Sequence, residues 1–426
     1  MSWGLRGLLV GILVVSALPA AEAQARSGAP ARATTFWVRS DAQFAAAVRA
    51  LRSSGGRIGL LPHRYRRLVV PPRSGRPLQI LGRRGVRVQE LLFDRAQRVS
   101  FGRVTIAPIT GDALVEVRGS RHVVLHDLVV TAQGTRFSSS ILVPDSRNVT
   151  IRRSNLSHCG DRAVDFVNCV WLYRWSHGVV IEDNRFHDCL GCDFVHGRFG
   201  TDLVIRRNRF ERSLPCRMGR HRCGHQDLVQ LFAGRRLRVA GNHFGVYRSG
   251  GAQLYLTNNV DYATIVNNVF VATDPRVPSY RARMGIVVGS NASRRLPHHA
   301  RIVNNTILSG ARRKDGYAGS IRMSSRYGAV PRWKRPIVAN NIIGLLETSA
   351  RVCNGAQRFL DNIVVRGKSC SEADLVGSAD LDARGRPTPI SMTIDTGNSR
   401  FAPARDATGR PRQGPPDIGA FEYRDR

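Results

Sequence analysis

The chain has 426 residues, with 65 lysines and arginines against 31 aspartates and glutamates and a formal net charge of +34. The basic residues run along its whole length, and all but Lys314, Lys334 and Lys368 are arginines; this speaks against a dedicated nucleic-acid arm and leaves either a solvated basic surface or attraction to a polyanion such as an extracellular acidic polysaccharide. A membrane span is not expected, because the longest apolar run falls short of the roughly 20 residues required.

That run lies in residues 1–25, MSWGLRGLLVGILVVSALPAAEAQA, where a basic start, an apolar stretch and small residues near Ala21-Glu22-Ala23 read as a signal peptide. The expected product is a secreted, extracellular, soluble monomer. Eight cysteines, an even number, suit an oxidising compartment. Proximity suggests Cys216 with Cys223 and Cys353 with Cys370, while Cys159 and Cys189 follow equivalent repeat positions and could lie in adjacent layers. A zinc site at Cys189 and Cys192 is disfavoured, because no second Cys-x-x-Cys pair exists.

In SDAQFAAAVRALRSSGG, Ser40 and Gln43 stand at capping-box spacing and Phe44, Ala47, Val48 and Leu51 share one face, which predicts a short helix able to cover the open end of a stack of strands. Strand-forming sequence follows from GRIGLLPHRYRRLVV onwards. A phrase then recurs as VVIEDNRFH, LVIRRNRFE, LRVAGNHFG, ATIVNNVFV, RIVNNTILS and PIVANNIIG, centred on Asn184, Asn208, Asn242, Asn268, Asn305 and Asn341, with VTIRRSNLS (Asn155) before them and RFLDNIVV (Asn362) after. Spacings of 21 to 37 residues suit a solenoid with loops of variable length. Each phrase alternates like a half-buried strand and breaks at asparagine, which is expected to turn the chain in the left-handed conformation. Phe186, Phe210, Phe244 and Phe270 are expected to stack in the core.

The helix, the asparagine phrases and the ending PDIGAFEY together resemble the right-handed parallel β-helix proteins of the pectate-lyase-like superfamily. The stretch from Pro389 to Tyr423 looks like the carboxyl-terminal segment of exported bacterial members. The resemblance implies an all-β fold, a right-handed parallel β-helix with an amino-terminal capping helix over residues 26–375, and a carboxyl-terminal extension over 376–426 packed on it. Such a scaffold hosts lyases, hydrolases, epimerases and adhesins, so function has to be argued from a site.

The strand before each asparagine phrase supplies one. Alignment of its inward apolar residues leaves an outward position held in turn by Glu116, Leu142, Asn168, His196, Gln230, Tyr255, Val287 and Arg322. With coils about 4.8 Å apart, Asn168, His196, Gln230 and Tyr255 form a polar and aromatic stripe long enough for several sugar units, from which Leu142 isolates Glu116. Asp165, Asp193 and Asp227 stand three residues before three of these positions; they could instead accept backbone N–H groups at strand ends.

The leading expectation is binding of an acidic polysaccharide, with cleavage by β-elimination at a uronate if the chain is an enzyme. That chemistry needs the sugar carboxylate neutralised and a base beside the acidic C–H. Asp165, Asp193 and Asp227 could hold calcium. Asp193, His196, Arg198, His225, Asp227 and Gln230 are the catalytic candidates, and Asn168, Arg206, Tyr255 and Arg322 the substrate-binding ones. The alternatives are a hydrolase using Asp193 and Asp227 as a carboxylate pair and a non-catalytic surface or matrix protein. Gly-His-Gly, Asp-Pro-His-Asp and Trp-Ile-Asp-His motifs of named relatives are missing. Trp171 and Trp175 read as loop packing, and His298 and His299 as loop residues with no metal partner.

Overall fold

The computed structural model describes residues 34–107, 114–132, 139–159, 167–190, 192–214, 227–245, 252–271, 284–289, 297–308, 320–323, 330–346 and 358–424. Residues 1–33, Asp165, His225, Cys216, Cys223 and Cys353 lie outside them. Among the described residues there are 33 strands and one α-helix, and every ladder between named strands is parallel. No helix among them is long and apolar enough to cross a membrane.

Each coil contributes one strand to each of three sheets. Val167–Ser176 and Cys192–Phe199 pair in the front sheet, followed by the first halves of the long strands Val229–Ala240 and Ala252–Asp261. The second sheet contains Val180–Glu182, Thr201–Arg206 and the second half of Val229–Ala240. The third contains Arg185–Leu190, Arg209–Leu214, His243–Phe244 and Val269–Phe270. Alternation explains the core: Val170, Leu172, Val229, Leu231, Leu254 and Leu256 of the front sheet point inward and are fully buried. Phe186, Phe210, Phe244 and Phe270 stack in sequence with centroid separations of 5.0, 4.9 and 4.4 Å. The helix Asp41–Ala50 closes the amino end. Ser40 Oγ accepts the Gln43 N–H and Gln43 Oε1 accepts the Arg39 N–H, while Phe44, Ala47 and Val48 face the core.

The asparagine column is structural in a different way from the one its sequence suggests. Left-handed backbone falls on the residue before each of them: Asp183 (φ 55°), Arg207 (54°), Asn267 (55°), Asn304 (49°) and Asn340 (54°). The asparagines themselves are buried and bond to one another. Asn208 Oδ1 accepts both the backbone N–H and the side-chain amide of Asn184, and Asn184 Nδ2 also donates to Ile151 O. The same pattern joins Asn208 to Asn242, Asn242 to Asn268, Asn268 to Asn305, Asn305 to Asn341 and Asn341 to Asn362. Asp374 ends the column, and burial holds its carboxyl above the ordinary range. At the other end Ser154, not Asn155, takes the place, because Asn155 starts the third-sheet strand in register with Arg185. A side-chain amide has two donors and an acceptor with two lone pairs, so it can satisfy the turn of its own coil and of both neighbours.

The residues at the left-handed positions alternate in charge. Arg153 bonds Asp127 in a bidentate pair, and Arg207 bonds Asp183 likewise one coil on. Part of the arginine excess is thus spent between coils. Carboxyl-terminal residues from about 378 onward lie against the same corner: Asn304 Nδ2 donates to Asp417 O and Gly419 O, the Ala420 N–H bonds Thr306 Oγ1, and Phe401 packs on Val266, Val303 and Ala339.

Cys159 and Cys189 lie near the ends of paired third-sheet strands of adjacent coils, and each is bonded to a different cysteine. Cys159 bonds Cys169, Cys189 bonds Cys192, and Cys370 is also bonded. At two successive connections a cysteine near the end of a third-sheet strand is thereby tied to one near the start of the following front-sheet strand, so each bridge closes the short loop that leads from one coil into the next.

Replacement of Asn242 by alanine leaves the Asn208 amide, the Ile205 carbonyl and Asn268 without their buried partner. The expected cost is roughly 3–5 kcal/mol in urea unfolding, and Asn242→Ser should recover part of it, since a serine serves at position 154. Acid should weaken the coil-to-coil pairs. The Arg153 hydrogen bond lowers Asp127 to about 2, and the Arg236 hydrogen bond lowers Asp202 to about 2. Their contribution is present above the ordinary aspartate value of about 3.9 and is lost as pH falls from there towards about 2. Between about pH 5 and about pH 2, therefore, the thermal midpoint should fall, and less steeply in Asp127→Asn.

Candidate functional site

Register places the outward row of the front sheet. Glu116 pairs with Leu142, Leu142 with Trp171, Trp171 with His196, His196 with Gln230, Gln230 with Tyr255, Tyr255 with Val287 and Val287 with Arg322. Trp171 therefore holds the place expected for Asn168, which pairs instead with Asp193. The sequence alignment matched Asp165…Asn168 to Asp193…His196 by spacing. The inward pair of this coil is Val170 and Leu172, both fully buried, and the residue between them is Trp171. The tryptophan is thus a member of the row and no loop residue. Tyr255 is buried against Ala252 and Val287 on this outer face.

The aspartates occupy the column where each coil enters the front sheet, and they are buried. Asp193 Oδ1 accepts the Asp227 N–H at 2.8 Å, and Asp227 Oδ1 accepts the Ala252 N–H. Asp193 Oδ2 lies 2.7 Å from His196 Nδ1. These bonds occupy oxygens of Asp193 and Asp227 that a calcium shell of six to eight converging oxygens would need, and Asp165, the third donor named from the sequence, lies outside the described residues. They count equally against Asp193 and Asp227 as the acid and base of a hydrolase.

The Asp193–His196 pair is the chemically informative feature. The carboxylate fixes the imidazole with Nδ1 as donor, so Nε2 of the neutral ring keeps a lone pair and can take a proton. Side-chain exposure is 7% for Asp193 and 20% for His196, so the acid is sheltered while the ring reaches the surface. Two other Asp–His pairs show what a structural pair looks like. His126 lies against Asp127 but spends Nε2 on Ser100 Oγ, and His187 lies against Asp188 but spends Nε2 on Asn155 Oδ1. Both aspartates also carry an arginine, Arg153 and Arg212 respectively. Among the described residues, His196 Nε2 has no such partner and Asp193 no such arginine.

Neighbours hold the ring. Phe232 meets it edge-on at 5.1 Å, and the Arg198 guanidinium lies over Phe232 at 5.2 Å. Between His196 and Arg198 the chain needs glycine: Gly197 has φ 130°, and a Cβ there would stand 2.0 Å from Leu172 O. Arg206 is not part of this site, because it sits at the end of a second-sheet strand bonded to Glu182. Phe232 was not singled out in the sequence; its signal is its place two residues after Gln230 on the same strand.

The family model for right-handed β-helix regions matches residues 91–270. No curated protein matches the sequence. Among solved structures, pectate lyase Pel9A is 11% identical over 92% of this chain and 97% of that one, with a TM-score of 0.48. The Streptococcus pneumoniae surface adhesin PfbA is 12% identical over 82% and 90%, at 0.49. The catalytic unit of a GH87 alpha-1,3-glucanase from Streptomyces thermodiastaticus is 10% identical over 85% and 70%, at 0.47. At such identities the likeness is one of fold alone. With three parallel sheets wound coil upon coil and that family match across its middle, the chain is a right-handed parallel β-helix protein.

Proposed function

We propose that this is a secreted glycan-active protein whose front sheet binds an acidic, uronate-containing polysaccharide, and that His196 cleaves it by β-elimination. The carrying observation is that, of three Asp–His pairs, the one on the outward front row leaves its Nε2 uncommitted among the described residues. In the reaction His196 Nε2 takes the proton from C5 of the uronate, the released electron pair forms the C4–C5 double bond, the C4–O4 bond breaks, and the leaving oxygen takes a proton from solvent. Asp193 stabilises the imidazolium that forms. Arg198, exposed two residues along the strand, neutralises the uronate carboxylate and so acidifies the C–H. Trp171 and Gln230 position flanking sugars, one by ring contact and one by hydrogen bonds. Arg322 lies on the same row three coils from Gln230 and serves the far end of the polymer. No step needs calcium.

The full chain incubated with polygalacturonate, alginate or glycosaminoglycan should release unsaturated product, read as ultraviolet absorbance, and a chelator should leave the rate unchanged. His196→Ala should lower kcat by about 10²- to 10⁴-fold while polymer binding persists. Asp193→Asn should lower kcat too, because an amide no longer selects the tautomer. Binding without unsaturated product from any of these polymers would make the chain a binding protein, and new reducing ends without ultraviolet absorbance would make it a hydrolase.

A further inference from the structure

The corner where the front sheet turns into the second carries a run of rings over successive coils. Tyr262 and His299 stack at 4.7 Å between centroids with 6° between their planes, and His299 meets Trp333 at 5.5 Å. Both ends are cationic: the Arg235 guanidinium lies over Tyr262 at 5.4 Å and the Lys334 ammonium over Trp333 at 4.8 Å. Backbone bonds fix the order, from the Tyr262 N–H to His298 O and from the His299 N–H to Lys334 O. Tyr262 is 45% and Trp333 68% exposed, and none of the three rings belongs to a hydrophobic cluster of the described residues. Core packing therefore does not account for them.

Charge and donors select a partner. Tyr262 lies between the stacked His299 ring and the Arg235 guanidinium, while Trp333 is tilted 45° to His299 and carries Lys334 over its ring. The phenol O–H and indole N–H are donors. Arg301 and Arg332 are exposed on the neighbouring strand and short helix. The carboxylate of this corner, Asp261, is buried and accepts the His298 N–H. The ridge is thus cationic and rich in donors, which complements an anionic, acceptor-rich polymer. Single-stranded nucleic acid, whose bases stack on aromatic faces, is the rival occupant that the test separates.

We infer that Arg235, Tyr262, His299, Trp333 and Lys334 form a second contact for anionic polysaccharide, apart from the front row. The choice of polymer rests on the function proposed above. The test compares binding of the full chain to immobilised polygalacturonate and alginate for wild type, for the ridge variant Trp333→Ala/Lys334→Gln and for the front variant Trp171→Ala/Gln230→Ala, with urea unfolding to verify the fold. The ridge variant should bind about fivefold more weakly or worse. Trp333→Ala alone, at a largely exposed ring, keeps the test valid if the double variant unfolds. Ridge variants that bind both polymers like wild type overturn the inference. Loss of affinity for single-stranded DNA with unchanged affinity for the polysaccharides overturns its assignment to glycan. Loss in the ridge variant with none in the front variant upholds the ridge and counts against the front-row reading. A wild-type chain that holds neither polymer sinks both.

Discussion

The buried column of side-chain amides from Asn184 to Asn362 is the constraint on which the rest of the molecule depends. A turn between the second and third sheets leaves backbone N–H and C=O groups in the interior of the stack, where an unpaired one costs on the order of 1–3 kcal/mol. Asparagine meets this demand with one carbonyl oxygen and two amide hydrogens, each of which has a partner in an adjoining coil. The column therefore fixes the vertical register of the corner. Through the strands that leave it, it also contributes to which residues come to lie above one another on the front sheet, some of which meet substrate in the proposed function.

Register, in turn, decides the chemistry. The described residues contain three Asp–His pairs with nearly the same short contact. Two are closed by a second hydrogen bond on the ring and by an arginine on the acid, and they tie coils together. The third stands on a face whose outward neighbours are Trp171, Gln230 and Phe232, and its aspartate spends its other oxygen on a backbone amide. The same two residue types thus act as a strut in one setting and as a poised base in the proposed one. The difference lies in whether the preceding coil supplies a partner for Nε2.

The arginine excess divides in a similar way. Some guanidinium groups alternate with carboxylates at the left-handed positions and hold neighbouring coils, as Arg153, Arg207 and Arg236 do. Others, such as Arg198 and Arg235, lie over aromatic rings on the surface. A partly exposed bidentate pair adds modestly to stability, so the paired set accounts for surface charge without accounting for its sign. The surplus remains as a positive field that favours polyanions.

Repetition carried the fold into the sequence. The asparagine phrase, the phenylalanines two residues on, the capping helix and the alternation of the strands are local or periodic signals, and each had the meaning its pattern suggested, except that the left-handed turn falls one residue before the asparagine. Much of the front row was legible for the same reason, from His196 through Arg322. What sequence spacing could not resolve was the coil at residues 167–176, where Asp165…Asn168 imitates Asp193…His196 while the buried pair Val170 and Leu172 sets the true register three residues later, at Trp171. The bonds of Asp193 and Asp227 to the next coil's amides and the aromatic run at Tyr262, His299 and Trp333 are contacts between residues distant in the chain. Their physical cause is the stacking of one coil on another, which a one-dimensional pattern announces but does not align.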